Sequence, residues 1–214
     1  MKRIGTENER KRKLFEAAQF LFYEQGYIGT SLNDMIERSE TNKGTFYHYY
    51  KSKAELGLSV YEKAFTQHRE VYSLFPNENA LTLISVDNRI FWSVFFKDFN
   101  FRRFFTDLIR EGVHFTSSRM VEDCLQFSAK RFSYNKLSLI NASSIGFRSN
   151  TSLHVYDNLD DYSAEEISTF NLKQFFQLYE IPQEDIEHAI SRSLLLFEQL
   201  QITTDRFEYH ANPK

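Results

Sequence analysis

Residues 14–60, LFEAAQFLFYEQGYIGTSLNDMIERSETNKGTFYHYYKSKAELGLSV, decide the fold. Leu14, Ala17, Ala18, Leu21 and Phe22 recur at i, i+3, i+4, i+7 and i+8, one apolar stripe of an α-helix. Gly26 suits the left-handed conformation that stops a helix. Thr30 and Ser31 offer an N-cap, and Leu32, Met35 and Ile36 give a second, short stripe. Asp34 lies near that helix's N-terminus, where a negative charge is favoured. The chain must turn after Ser39 and Glu40, and Thr41 or Asn42 then caps a third short helix, over residues 42–49. Ser52, Lys53, Ala54 and Glu55 read as a capping box. It opens a fourth helix carrying Leu56, Val60 and Ala64. No breaker interrupts that helix before Pro76, so it is expected to exceed about 20 residues.

Two short helices joined by three or four residues, with a longer helix on each side, have helix-turn-helix spacing. In such a pair the second helix fits the major groove. Here it lies within residues 41–50. Phe46 and Tyr50 are four apart and face the core, which leaves Lys43, Thr45, Tyr47 and His48 on exposed faces. Those side chains suit DNA. A lysine donates to guanine acceptors, a threonine offers a hydroxyl and a methyl, and a tyrosine hydroxyl reaches phosphate. Gly44 at the helix start lets backbone N–H groups approach a phosphate. The alternative is an ordinary solvated helix face.

The same stretch resembles the DNA-binding domain of the TetR family of transcriptional regulators. The matching elements are Ala17-Ala18, Leu21-Phe22, Gly26-Tyr27, Thr30-Ser31, Lys43-Gly44-Thr45, Tyr47, Ser52-Lys53 and Leu56, in order and at the family's spacing. The resemblance implies that Asn33, Lys43, Thr45 and His48 face base edges, and that Thr30, Gly44, Tyr47 and Lys53 meet phosphates. Lys53 has an alternative in the negative C-terminal end of a neighbouring helix. Three positions depart from the pattern: Glu40 stands where the turn usually has glycine, Thr41 replaces valine, and Ile36 replaces alanine. A requirement for positive φ at Glu40 costs about 1 kcal/mol.

Composition agrees with an all-α protein. Gly numbers 7 and Pro 3 in 214 residues, too few for a chain rich in hairpins. The single cysteine, Cys124, excludes an intrachain disulfide and fits a reducing compartment as a buried small residue. The N-terminal MKRIGTENERKRK has no apolar stretch of a secretory signal, and no run suits a membrane span, so a cytoplasmic location is expected. Net charge is −3, but residues 1–53 carry 10 basic against 7 acidic side chains, a basic front on an acidic body. The arm with Lys2, Arg3, Arg10, Lys11, Arg12 and Lys13 is either a further phosphate or minor-groove contact or a plain terminus.

Further helices are expected near 78–98, 101–113, 116–131, 134–157, 163–180 and 183–202, with a loosely held tail from Thr203. The layout is an N-terminal three-helix DNA-binding domain (1–53) and a C-terminal helical effector-binding and dimerisation domain (54–214). Between Ile90 and Phe115 lie eight Phe and the only Trp. This block is either bulky core or a pocket for an apolar or aromatic effector, with Trp92, Phe95, Phe99, Phe127 and Phe65 as candidates. Two strips are candidates for a dimer interface or for intramolecular core. One runs through Ile140, Ser143, Ser144 and Phe147, the other through Ile186, Ala189, Ile190, Leu194 and Phe197. The resemblance favours dimerisation through two C-terminal helices, and DNA reading independently favours a two-fold dimer. The six His have no metal-ligand spacing, and nucleotide-binding and nucleophile-elbow motifs are missing, so neither metal, cofactor nor enzymatic activity is expected. The expected function is a dimeric, ligand-responsive repressor on a near-palindromic operator. The alternative is the same DNA-binding domain controlled by a protein partner.

Overall fold

The computed structural model describes residues 2–66, 69–113, 118–128 and 131–214, with side chains except at 2–8, 65, 66, 69–71 and 118–120. Among the described residues the chain is all-α apart from one hairpin. The helices are α1 (Lys2–Gln25), α2 (Leu32–Arg38), α3 (Lys43–Tyr49), α4 (Lys53–Thr66), α5 (Arg69–Leu74), α6 (Ala80–Lys97), α7 (Phe99–Arg110), α8 (Ser118–Phe127), α9 (Tyr134–Asp157), α10 (Ala164–Leu178) and α11 (Gln183–Glu198). A 3₁₀ turn follows α9, and β1 (Leu200–Asp205) pairs with β2 (Glu208–Pro213). Where a single helix is expected from residue 53 towards Pro76, the described residues form α4 up to Thr66 and α5 from Arg69 to Leu74, and residues 67 and 68 lie outside the described residues.

Contacts divide the chain into two compact units. The first comprises Met1–Gln67, Phe99–Val113 and Thr204–Tyr209, so it takes in α4, α7 and the hairpin turn besides residues 1–53. Its core contains the predicted stripe of α1, with Leu14, Ala18 and Phe22 fully buried, and Met35, Phe46, Leu56 and Val60 from α2 to α4. Phe22 lies 5.2 Å from Tyr27 and 5.6 Å from Phe104 of α7, ring centroid to centroid. Gly57 lets α4 approach α7 closely: a Cβ there would sit 2.8 Å from Leu108 and 2.9 Å from Tyr27.

Local chemistry sets the ends of the short helices. Ser31 and Asp34 form a full capping box on α2: the Asp34 N–H donates to Ser31 Oγ at 3.2 Å, and the Ser31 N–H donates to Asp34 Oδ2 at 2.7 Å. Hydrogen bonding from Ser31, by its backbone N–H first and its side chain second, holds the Asp34 carboxyl below its ordinary pKa. At the other end of α2, the Glu40 N–H donates to Glu37 O and the Thr41 N–H to Ile36 O. That pair of bonds is a Schellman motif, with Glu40 at its left-handed position (φ 54°), where glycine is usual. Asn42 caps α3, its Oδ1 accepting the Thr45 N–H at 2.9 Å and the Thr45 hydroxyl at 3.2 Å. The box expected at α4 is half formed. Ser52 Oγ accepts the Glu55 N–H at 3.1 Å, but Glu55 accepts from the Lys51 N–H instead of the Ser52 N–H.

The tail is not loosely held. Phe207 and Tyr209 are buried, and the two-residue turn puts Arg206 (φ 42°) and Phe207 (φ 68°) both in the left-handed region. Positive φ at both central positions is the type I′ pattern, which ordinarily selects Asn-Gly. Burial of the Phe207 ring in the first unit opposes that steric cost.

The second unit comprises His68–Asp98, His114–Thr203 and His210–Lys214. Helix α6 is buried along almost its whole length, with α10 and α11 packed on it. Arg89 and Asn88 are paired across those interfaces. Arg89 Nε donates to Ser193 Oγ at 3.0 Å and its Nη2 to Ile190 O at 3.0 Å, while the Ser168 hydroxyl donates to Asn88 Oδ1 at 2.9 Å. A second cluster joins Leu81, Ile84, Cys124, Ile140, Leu172, Phe176 and Ile186. Burial there pushes the Cys124 thiol up to about 12, so it is protonated at neutral pH.

Candidate nucleic-acid interface

Helices α2 and α3, with Ser39 to Asn42 between them, form the helix-turn-helix. Phe46 and Tyr50 face inward as expected, 1% and 5% exposed, with ring centroids 6.0 Å apart. Asn33 on α2 and Lys43, Gly44, Tyr47 and His48 on α3 are exposed, and Thr45 is half-buried. Tyr47 is 59% exposed although its ring packs edge-on against Phe46, so the hydroxyl end stands clear of the core. Gly44 keeps the helix start thin: a Cβ there would lie 3.2 Å from the capping Asn42 Oδ1.

Thr30 and Lys53 turn inward. Thr30 is 1% exposed and its hydroxyl donates to Gly26 O at 2.8 Å. Lys53 Nζ donates to Tyr27 O at 3.0 Å and Thr30 O at 3.1 Å, and stands 4.1 Å from the centroid of the Tyr27 ring. Burial lowers the Lys53 pKa below its ordinary value, against the attraction of Glu111 and Asp107. Two further charged side chains hold the segment between α1 and α2. Arg103 Nη2 donates to Tyr23 O and Glu24 O, both at 2.9 Å, and Asp107 accepts the Ile28 N–H at 3.2 Å. Gly26 (φ 80°) leaves room for both, since a Cβ would meet Arg103 Nε and Asp107 Oδ2 at 3.0 Å each. The sequence signal for this clamp is faint: an Arg and an Asp four apart on an aromatic helix.

A groove of about 690 Å³ lies elsewhere in the first unit, lined by residues of α1, the end of α2 and the hairpin turn, including Phe20, Arg38, Glu40 and Arg206.

The aromatic candidates separate. Trp92 and Phe95 are fully buried in the second unit, 5.2 Å apart. Phe127 is half-buried against the Cys124 cluster. Phe99 belongs to the first unit, is 53% exposed, and has the guanidinium of Arg103 5.5 Å from its ring. The side chain of Phe65 lies outside the described residues. Of the interface candidates, Ile140 and Ile186 belong to the chain's own core, 5% and 1% exposed, and so are not surface residues. Ile190 is partly buried against the same cluster, and Phe147 packs on the exposed Phe170 at 5.5 Å. Leu194 and Phe197 are half-buried, beside Leu195 at 53% exposure.

Residues 14–60 match the sequence profile described as "Bacterial regulatory proteins, tetR family". That segment is similar to the DNA-binding part of tetR-family regulators. The matched segment begins at the buried Leu14 of α1 and runs through the helix-turn-helix to Val60 of α4, the stretch that carries the exposed face just described. Among curated relatives, an uncharacterised HTH-type transcriptional regulator of Lactococcus lactis is 46% identical over 50 residues, 23% of this chain and 26% of its own length. The HTH-type transcriptional repressor NemR of Escherichia coli is 28% identical over 65 residues, 30% of this chain and 33% of its own. The alignments thus span a quarter to a third of these relatives. Among solved structures, RolR in complex with resorcinol superposes with a TM-score of 0.60 at 15% identity, covering 89% of this chain and 97% of RolR. TylP, a tetR regulator from Streptomyces fradiae, gives 0.51 at 15%, covering 88% and 96%. Those two likenesses show a shared fold.

Proposed function

We propose that this chain is a cytoplasmic tetR-family repressor that binds a near-palindromic DNA operator as a homodimer and is released by a small apolar or aromatic effector. The observation that carries this reading is the exposed face of the helix-turn-helix. Asn33, Lys43, Thr45 and His48 supply donors and acceptors for base edges, and Gly44 and Tyr47 face phosphates. Thr30 and Lys53 brace the turn from inside. The absence, among the described residues, of a helix long and apolar enough to cross a membrane agrees with this reading.

The second unit supports the remaining parts. The indole Nε1–H of Trp92 is buried without an acceptor among the described residues. An effector with an aromatic face and one acceptor oxygen would satisfy it beside Phe95. Phe127 is the third candidate wall, and Phe99 and Phe65 are not assigned to it. Ile190, Leu194, Phe197 and the exposed Leu195 of α11, with Phe147 and Phe170, are the apolar surface offered to a second copy. The effector acts through its differential affinity for two conformations of the dimer.

The test is a footprint on DNA flanking the protein's own gene, with competitor DNA at near-physiological salt. A protected two-fold site with half-sites about one helical turn apart is expected. Protection that is absent, or that follows no two-fold pattern, contradicts a dimeric operator-binding repressor.

A further inference from the structure

The turn of the C-terminal hairpin is anchored on α1 and α7, in the same compact unit as the helix-turn-helix. Phe207 is 1% exposed, with its ring 4.6 Å from Phe104, 5.1 Å edge-on from Tyr23 and 6.4 Å from Phe101. Gln19 Nε2 donates to the Arg206 carbonyl at 3.1 Å, and the Arg206 guanidinium lies 4.0 Å from the Glu24 carboxylate. The same guanidinium is 5.2 Å from the centroid of the Phe20 ring. Arg38, the last residue of α2, lies 3.5 Å from that ring. A continuous line of contact therefore runs from the hairpin turn through Phe20 of α1 to the end of α2. Two residues beyond Arg38 stands Glu40, the left-handed residue that aims the chain into α3. A groove between α1, the end of α2 and the turn is lined by Phe20, Arg38, Glu40 and Arg206.

The turn's own residues add a second argument. A hairpin that needs only to close is served by Asn-Gly at two positive-φ positions. This chain keeps an arginine and a phenylalanine there, against their steric preference. Strain of that kind persists where the surroundings over-determine it, and the surroundings here are α1 and α7.

We infer that Arg206 and Phe207 are positioning residues for DNA binding. They hold α1, and through Phe20 and Arg38 the end of α2, in the arrangement that presents α3 to DNA. The last segment of the chain thus completes the DNA-binding unit. This inference rests on the DNA-binding reading above.

The test is the full-length double variant Arg206→Asn with Phe207→Gly, which idealises the turn and removes the anchor. Two readouts are taken on wild type and variant: amide hydrogen exchange along the whole chain, and affinity for a random-sequence 30-bp duplex at low salt. The inference expects exchange in α1 to α3 to quicken about ten-fold while α10 and α11 keep wild-type rates. With the competent arrangement then a minority, apparent duplex affinity falls about ten-fold. Phe207→Leu, which retains an apolar anchor, restores most of both. Unchanged exchange in α1 to α3 overturns the inference whatever the duplex does. Quickened exchange with wild-type duplex affinity overturns it equally. If wild type itself fails to bind the duplex, the DNA-binding reading falls, and the exchange data still decide whether the turn holds α1 and α2. If the double variant unfolds, the single variants Arg206→Ala and Phe207→Leu carry the test: a local loss in the first with near-wild-type behaviour in the second supports the inference, and identical behaviour of the two overturns it.

Discussion

Replacing Lys53 by methionine removes an ammonium group while keeping an apolar stem of similar length. The structure gives that ammonium two carbonyl acceptors, Tyr27 O at 3.0 Å and Thr30 O at 3.1 Å, and the Tyr27 ring at 4.1 Å. A hydrogen bond from a charged donor contributes about 1.5 kcal/mol at the low end suited to a half-buried group, and the ring about 0.5 kcal/mol. Water that reaches the freed carbonyls offsets part of this, leaving a net loss of about 2–3 kcal/mol. For a chain of this size that is a fall in Tm of about 4–12 °C, read by circular dichroism. The DNA readout separates this role from a phosphate contact. Removing a phosphate contact lowers the slope of log K against log salt by about 1, whereas removing an internal brace leaves it unchanged. A Tm within about 1 °C of wild type, together with a lowered salt slope, would refute the bracing role and place Lys53 on the DNA backbone.

Three further outcomes follow from particular residues. Glu40→Gly relieves a left-handed glutamate and loses only the exposed ion pair with Lys13, so it raises stability by about 1 kcal/mol; a thermal melt showing a loss contradicts the strain argument. The Asp34 carboxyl has a folded pKa below its unfolded value, so its contribution is present above about pH 4 and disappears as pH falls through the lowered value. Asp34→Asn therefore flattens the acid limb of the stability curve, and parallel limbs for the two proteins would remove the capping box as its cause. Lys43→Ala loses about 1–3 kcal/mol on the footprinted site and relaxes base preference at one position of each half-site, measured by competition with single-base variants; unchanged preference takes Lys43 off the base edges.

Much of the DNA-binding unit was legible because its signals are local. The stripe from Leu14 to Phe22, the Ser31 cap and the inward pair Phe46 and Tyr50 each depend on a few neighbouring residues. Glu40 was legible as a departure, and its φ of 54° is the conformation for which glycine is usual. Lys53 was harder, since a cation beside the first turn of a helix serves an outside phosphate or an inside carbonyl equally well in sequence. Periodicity told which faces of α9 and α11 are apolar but not what covers them, and Ile140 and Ile186 are covered by the chain itself. The hairpin was hidden for a different reason. Its turn, Asp205 to Glu208, contains neither Gly nor Asn, and the burial that stabilises Phe207 comes from Phe104 and Tyr23, distant in sequence.

Sequence-specific DNA binding through α3 is measured directly as a ratio of affinities at near-physiological salt. The footprinted fragment is compared with a scrambled duplex of the same length and composition. A preference of at least about 10³-fold for the fragment is expected, lost in stepwise fashion as bases of either half-site are changed. Equal affinities, both abolished by modest added salt, would show backbone attraction alone and rule out base reading by α3.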